Sequence, residues 1–214
     1  MKIFVAGVEQ TVKPQLVLRY VAKYPTTTKQ FDLRAGKYQS IDSDLICATR
    51  VISSRISNDE LTWFESTGRS APWGLVDSLA KLVDADPGER GGQYDRALEL
   101  WNQFASNKKR GVAVGKISKV LHAMRPNFFP IIDSRLRRSY RAYARECATL
   151  ALPHHQIENA YWAAIREDLL KSDEALSDLR DELASPDNPA ITRWVSQVSD
   201  VRLHDVVAWS LTNR

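Results

Sequence analysis

Apolar residues recur along most of this chain at intervals of three and four, the spacing of a helix with one buried face. In "KPQLVLRYVAKY", Leu16, Val17, Tyr20 and Val21 fall on one side. Leu45, Ile46, Thr49 and Ile52 do the same in a helix that Asp42 or Ser43 would cap. "APWGLVDSLAKLV" predicts another helix, with Pro72 at an early position. "DPGERGG", residues 86 to 92, is the clearest break. Tyr94 to Ser106 then makes an amphipathic helix, and a glycine-containing turn leads to a second, with Ile117, Val120 and Leu121 as its buried face. "RPNFFP" is a loop closed by Pro126 and Pro130, after which Asp133 or Ser134 opens the helix "SRLRRSYRAYAREC". Pro153 begins the next helix, through Leu170; "ASPDNPA" is the last turn, and "RLHDVVAWSLT" closes the chain as a helix. "EDLLKSDEALSDLRDEL" is acidic and amphipathic and reads as a solvated helix face. Only Lys2 to Val8 has a strand pattern. The expected class is mainly α with one short N-terminal strand. It would form a single unit over residues 1–214, divisible into lobes of about 1–90 and 91–214.

Length and composition agree with an ordinary globular protein: 214 residues, 43% hydrophobic and 26% charged, enough to bury a core. No apolar run approaches the ~18 residues that span a bilayer. The start, "MKIFVAGVEQTVKPQ", has no long apolar core and no small-residue cleavage site, so no signal peptide and no membrane partner are expected. Cys47 and Cys147 are the two cysteines, too few for a disulfide framework or a four-cysteine metal or cluster site. A reducing cytoplasm is the expected location.

Charge changes the picture more. Residues 107 to 145 hold eleven Lys and Arg: Lys108, Lys109, Arg110, Lys116, Lys119, Arg125, Arg135, Arg137, Arg138, Arg141 and Arg145. The same stretch holds one acid, Asp133, so the rest of the chain carries 19 basic against 25 acidic residues. A strongly basic segment on an otherwise acidic protein is the footprint of a polyanion partner; otherwise it is a pair of solvated helix faces.

Within that segment, "RGVAVGKISKVL" (Arg110 to Leu121) allows three readings. A Walker phosphate loop needs four residues between its glycines, then Lys and Ser or Thr, after a strand. Here three residues separate Gly111 from Gly115, Ile117 follows the lysine, and a helix precedes. A helix-hairpin-helix needs a tight Gly-apolar-Gly turn whose backbone N–H groups, with the next helix N-terminus, take a DNA phosphate. "GVA" fits that pattern with Ala113 in place of the second glycine, over a hairpin at about 94–124. The third reading is a plain helix start with flexible glycines.

Taken with "RPNFFPIIDSRLRRSYR" downstream, the segment resembles the helix-hairpin-helix DNA glycosylase superfamily. Those enzymes carry a Gly-Val-Gly hairpin, then an apolar stretch ending in Asp, then a helix with Arg. The strong part of the likeness runs from Gly111 to Arg141 without a gap. The chain is also similar to an uncharacterised bacterial domain family with an "RP…P…D" pattern, whose final Trp-containing helix is echoed by "RLHDVVAWSL". The resemblance implies hydrolysis of the bond between a damaged or modified base and its sugar. Asp133 would stabilise the oxocarbenium-like transition state. Taken alone, an Asp at this position is more often a plain helix N-cap than a catalyst, and the two roles are compatible. Double-stranded DNA would be gripped by Gly111, Val112, Ala113, Gly115, Lys116, Lys119, Arg125, Arg135, Arg137 and Arg138. Strand-cutting members carry a Schiff-base lysine where Gly115 stands. Lys116 comes one residue late, a rotation of roughly 100° on a helix, so it is either a phosphate contact or, with a one-residue shift, the Schiff base. The ungapped match implies a monofunctional enzyme. An extruded base needs an aromatic pocket, for which Tyr38, Trp73, Phe128 and Trp162 are candidates.

His122 and His204 stand alone, and His154 and His155 are adjacent, which gives no metal-ligand spacing. Neither metal nor cofactor is expected. Such an enzyme would serve base-excision repair or attack phage DNA carrying modified bases, in a bacterial cytoplasm at the nucleoid. Two other readings stand beside it: a non-catalytic DNA-binding module of the same fold, and a protein-interaction domain whose basic stretch pairs with an acidic partner.

Overall fold

The first residues form a hairpin, β1 (Lys2–Val5) and β2 (Val8–Thr11), paired antiparallel with Val5 opposite Val8. The expected strand over Lys2 to Val8 is thus two strands folded at Ala6-Gly7. Both turn residues have left-handed φ, 54° and 77°, as a two-residue hairpin turn with the twist of its strands requires. A side chain at Gly7 would also meet the Tyr143 ring at 2.7 Å. This computed structural model describes residues 1–106, 108–151, 160–185 and 187–212.

The rest is helical: α1 (Pro14–Lys23), α2 (Pro25–Gln30), α3 (Ser43–Val51), α4 (Asn58–Ser70), α5 (Gln93–Ala105), α6 (Val114–Met124), α7 (Ser134–Cys147), α8 (Ala160–Lys171), α9 (Asp173–Leu183), α10 (Pro189–Gln197) and α11 (Asp200–Leu211). The protein is mainly α with one short two-stranded sheet. Side-chain caps fix several helix starts. Asp42 accepts from Leu45 N at 2.9 Å, and Ser57 and Glu60 form a reciprocal capping box. Asn188 accepts from Ile191 N, and Ser199 from Arg202 N. Such caps contribute about 1 kcal/mol each.

A continuous set of buried residues runs from Ile3 to Ala208. Elements before and after residue 90 interleave in it: α1 packs on α11, α3 on α6, and β1 on α8. The core is shared between the two expected lobes and does not part at residue 90.

Three expectations are corrected. "APWGLVDSLAKLV" forms two 3₁₀ turns, Trp73–Leu75 and Leu82–Asp84, instead of a helix. Asp77 Oδ1 takes the N–H of Leu79 at 2.7 Å, a local side-chain bond that competes with helix formation. The acidic stretch is split at Ser172 and is not all solvated. Leu176, Leu179 and Leu183 are buried, and fully buried Asp168 accepts from Gly7 N at 3.0 Å and Tyr140 Oη at 2.7 Å. "ASPDNPA" runs into α10 and so precedes two helices, not one. The helix start at Pro153, and His154 and His155, lie outside the described residues.

Candidate functional site

The stretch Arg110 to Leu121 joins α5 to α6 by a tight turn. Gly111 has a left-handed φ of 93°, and Val112 N bonds back to Lys109 O at 3.0 Å. Val112 is buried, while Gly111 and Ala113 face solvent, Ala113 preceding α6 in extended backbone. Ile117, Val120 and Leu121 are fully buried, the face the periodicity predicts. Ser118 couples α6 to the segment that delivers Asp133: its Oγ donates to Gly115 O at 3.2 Å and accepts from Ile132 N at 3.0 Å. Gly115 therefore lies against the chain at Asp133, whose Cα would be 3.9 Å from an added Cβ.

Asp133 caps α7. Its Oδ1 accepts from the backbone N–H groups of Arg135 at 2.9 Å and Leu136 at 2.8 Å. Those aligned N–H groups favour an anion there. Asp133 borders a cavity of about 210 Å³, lined also by Tyr20, Tyr24, Lys119, Arg202, Asp205 and Trp209. Asp133, Asp205 and Trp209 also border a second, much smaller cavity beside the first.

The charges in the main cavity are held from several elements. Lys119 is buried in α6 and donates through Nζ to Ile52 O at 2.7 Å. Burial pushes its ammonium below the ordinary range, opposed by Asp133 and Asp205. Arg202, on α11, donates through Nε to Asp32 Oδ1 at 2.9 Å, through Nη2 to Tyr20 Oη at 2.7 Å, and through Nη1 to Asp205 Oδ2. Asp32 also accepts from Trp194 Nε1 at 2.9 Å. Burial pushes Tyr20 up to about 12 against the pull of Arg202. Burial likewise raises Asp205 to about 6, with Arg202 lowering it and Asp133 adding to the rise. The aromatic wall is Tyr20, Tyr24 and Trp209, whose ring centroids lie 5.2–5.6 Å apart; Arg135 roofs Trp209 at 5.2 Å. The rim loop after α3 holds Ser53 and Arg55 in left-handed backbone, φ 60° and 51°. Such strained positions, for residues other than glycine, cluster at functional sites.

The residues predicted from sequence are brought together only in part. Asp133, Lys119, Gly115 and Arg135 meet at the cavity or its edge. Lys116 does not: its Nζ bonds both carboxylate oxygens of Glu60, at 2.6 and 2.8 Å, on α4. Lys119 stands one turn beyond Gly115, on the same helix face, and supplies the amine beside Asp133. Arg125 is turned inward, donating to Val76 O at 2.9 Å over the Trp73 ring. Arg137 and Arg138 are exposed on α7.

The four aromatic candidates do not line the cavity. Phe128 and Trp162 are core residues in mutual edge contact. Trp73 donates to Gly68 O and packs on Phe104, and Tyr38 lies under Arg34. The cavity's own aromatics had no mark in the sequence beyond helix periodicity, although the closing "RLHDVVAWSL" carries three lining residues, Arg202, Asp205 and Trp209. His122 is buried, stacked on Phe31, and bonded through Nδ1 to Phe129 O at 2.7 Å; His204 bonds Phe4 O at 2.9 Å. Among the described residues no three His, Cys, Asp or Glu are grouped to hold a metal ion, and no helix is long and apolar enough to cross a membrane.

A family model described as a family of unknown function (DUF6308) matches residues 19–212, a span that holds every residue lining the main cavity. No curated protein and no solved structure matches the chain.

Proposed function

For this chain, which belongs to the DUF6308 family, we propose that the Asp133 cavity receives a nucleobase turned out of DNA and that the protein is a DNA glycosylase. The observation that carries the reading is one juxtaposition. A capped carboxylate, Asp133, faces an aromatic-walled cavity directly beside a tight helix-turn-helix hairpin and at the head of an arginine-rich helix. The cavity is smaller than the ~300–1,000 Å³ of pockets for drug-sized ligands. At about 210 Å³ it suits one planar ring system better than a whole nucleotide.

Each part then has a role. The Gly111 turn and the N-terminus of α6 contact a phosphate, and Arg135, Arg137 and Arg138 contact others. Tyr24 and Trp209 stack on the base. Asp133 stabilises positive charge developing at C1′ and orients a water toward it. Lys119, fixed by the Ile52 carbonyl, limits the negative charge around Asp133.

The test is base release. Wild type and Asp133→Asn are incubated with DNA carrying a panel of damaged and modified bases, and freed bases are identified by mass spectrometry. Release by wild type alone supports the enzyme and names its substrate. A second reading, a DNA-binding module without chemistry, is favoured by the double cap of Asp133, which already accounts for the residue structurally. It predicts salt-sensitive DNA binding by both proteins and release by neither.

A further inference from the structure

We propose that Asp205 is a second catalytic carboxylate of this cavity, handing a proton to the departing base while Asp133 faces the sugar. The inference rests on the glycosylase reading above and adds a residue and a step to it.

Position is the first argument. Asp205 borders both adjoining cavities together with Asp133 and Trp209, so it lies in the wall a bound base would touch. Charge balance is the second. The guanidinium of Arg202 bonds two carboxylates, Asp32 through Nε and Asp205 through Nη1. Asp32, closed off from solvent and also held by Trp194, is sufficient to neutralise it. The groups facing Asp205 are Arg202 on its own helix, Tyr20 on α1, Asp32 after α2, Lys119 on α6, Asp133 before α7, and Arg135 and Tyr140 on α7. Asp205 can take a proton without leaving Arg202 unpaired, because Asp32 stays bonded to it. Burial disfavours Asp205 as an anion, its pKa raised to about 6. Arg202 engages Oδ2, which leaves Oδ1 to carry the proton.

The step balances as a hydrolysis. The C1′–N bond breaks with its electron pair leaving on the base, and a base nitrogen or exocyclic oxygen takes the Asp205 proton. Water adds to C1′, and its spare proton passes to the Asp133 carboxylate and on to solvent. Asp205 regains its proton from solvent. General acid help of this kind is worth on the order of 10²–10⁴-fold.

The discriminating experiment uses the leaving group. Single-turnover release is measured for neutral bases and for bases already cationic, such as N7-alkylated guanine, with wild type, Asp205→Asn and Asp205→Glu. The proposal expects Asp205→Asn to lose at least about 100-fold on neutral bases, to keep near wild-type rates on cationic ones, and to be partly rescued by Asp205→Glu. Equal losses on both classes, or none on neutral bases, overturn it. Should Asp205→Asn fail to fold, the wild-type pH profile decides. Release of neutral bases falls as pH rises through about 6 while release of cationic bases does not; identical profiles overturn the proposal. If wild type releases no base of either class, the glycosylase reading itself has failed.

Discussion

Lys116 and Glu60 form a two-pronged ion pair, with Nζ 2.6 Å from Oε1 and 2.8 Å from Oε2. Glu60 Oε2 also accepts the N–H of Ser57 at 2.7 Å, and Oε1 would lie 2.9 Å from a side-chain atom added at Gly111. One nearly buried carboxylate thus ties the hairpin turn, α6 and the first turn of α4 together. The lysine is committed to the fold, and the amine beside Asp133 is that of Lys119.

Replacing Lys116 by Met leaves the Glu60 carboxylate buried without its partner. Breaking such a pair costs about 3 kcal/mol, read as a lowered urea midpoint, and Glu60→Gln in the same chain recovers part of it. Burial alone would raise the Glu60 carboxyl, but the bonds from Lys116 and Ser57 outweigh it and hold it below its ordinary value. The pair therefore stabilises above the unfolded glutamate pKa, and the contribution is lost as pH falls through the lowered folded value. On the glycosylase reading, base release per folded molecule by Lys116→Met matches wild type.

Asp133→Asn separates capping from chemistry. Asn caps a helix about as well as Asp, so unfolding stability changes by less than about 0.5 kcal/mol, whereas Asp133→Ala loses about 1 kcal/mol. On the glycosylase reading, DNA affinity is kept in Asp133→Asn and base release is abolished. Thermal melts, fluorescence binding and single-turnover assays on the same preparations check all three.

The arginines divide into two groups. On the DNA-binding reading, Arg137→Ala and Arg138→Ala each weaken DNA binding evenly across sequences and reduce the slope of log affinity against log salt by about 1, with little effect on stability. Arg125→Ala leaves the slope unchanged and costs about 1–2 kcal/mol of stability, because its bond to Val76 O is lost.

Stability falls on acidification below neutral pH, and His122 is one source. Burial, with the charge of Arg202, pushes its imidazolium down to about 3, opposed by the Phe129 carbonyl. Below the ordinary histidine pKa of about 6.5, the unfolded chain takes up a proton that the folded chain refuses. The folded state thus loses up to about 1.4 kcal/mol per pH unit between those values. His204, also lowered by burial, adds in the same direction. Denaturation midpoints between pH 7 and 4 fall less steeply in His122→Gln than in wild type.

Period and punctuation in the sequence determined the mainly helical class, α1, α3, α5, α6, α7 and α11 within a few residues, and the inward face of α6. These depend on local spacing, caps and glycines, which act within a few residues. The hairpin turn at Gly111 and the cap at Asp133 were legible for the same reason. The partners of buried charges were not. Lys116 and Lys119 are three residues apart on one helix, yet one meets Glu60 and the other the Asp133 cavity, because different elements pack on either side of α6. In sequence Phe128 and Trp162 are open to base stacking or to core packing, the commoner place of a tryptophan, and the core takes both, since a large ring is stabilised wherever packing surrounds it. The cavity joins Tyr20 on α1, Lys119 on α6, Asp133 before α7 and Asp205 on α11, and only the tertiary packing of the first helix against the last closes it.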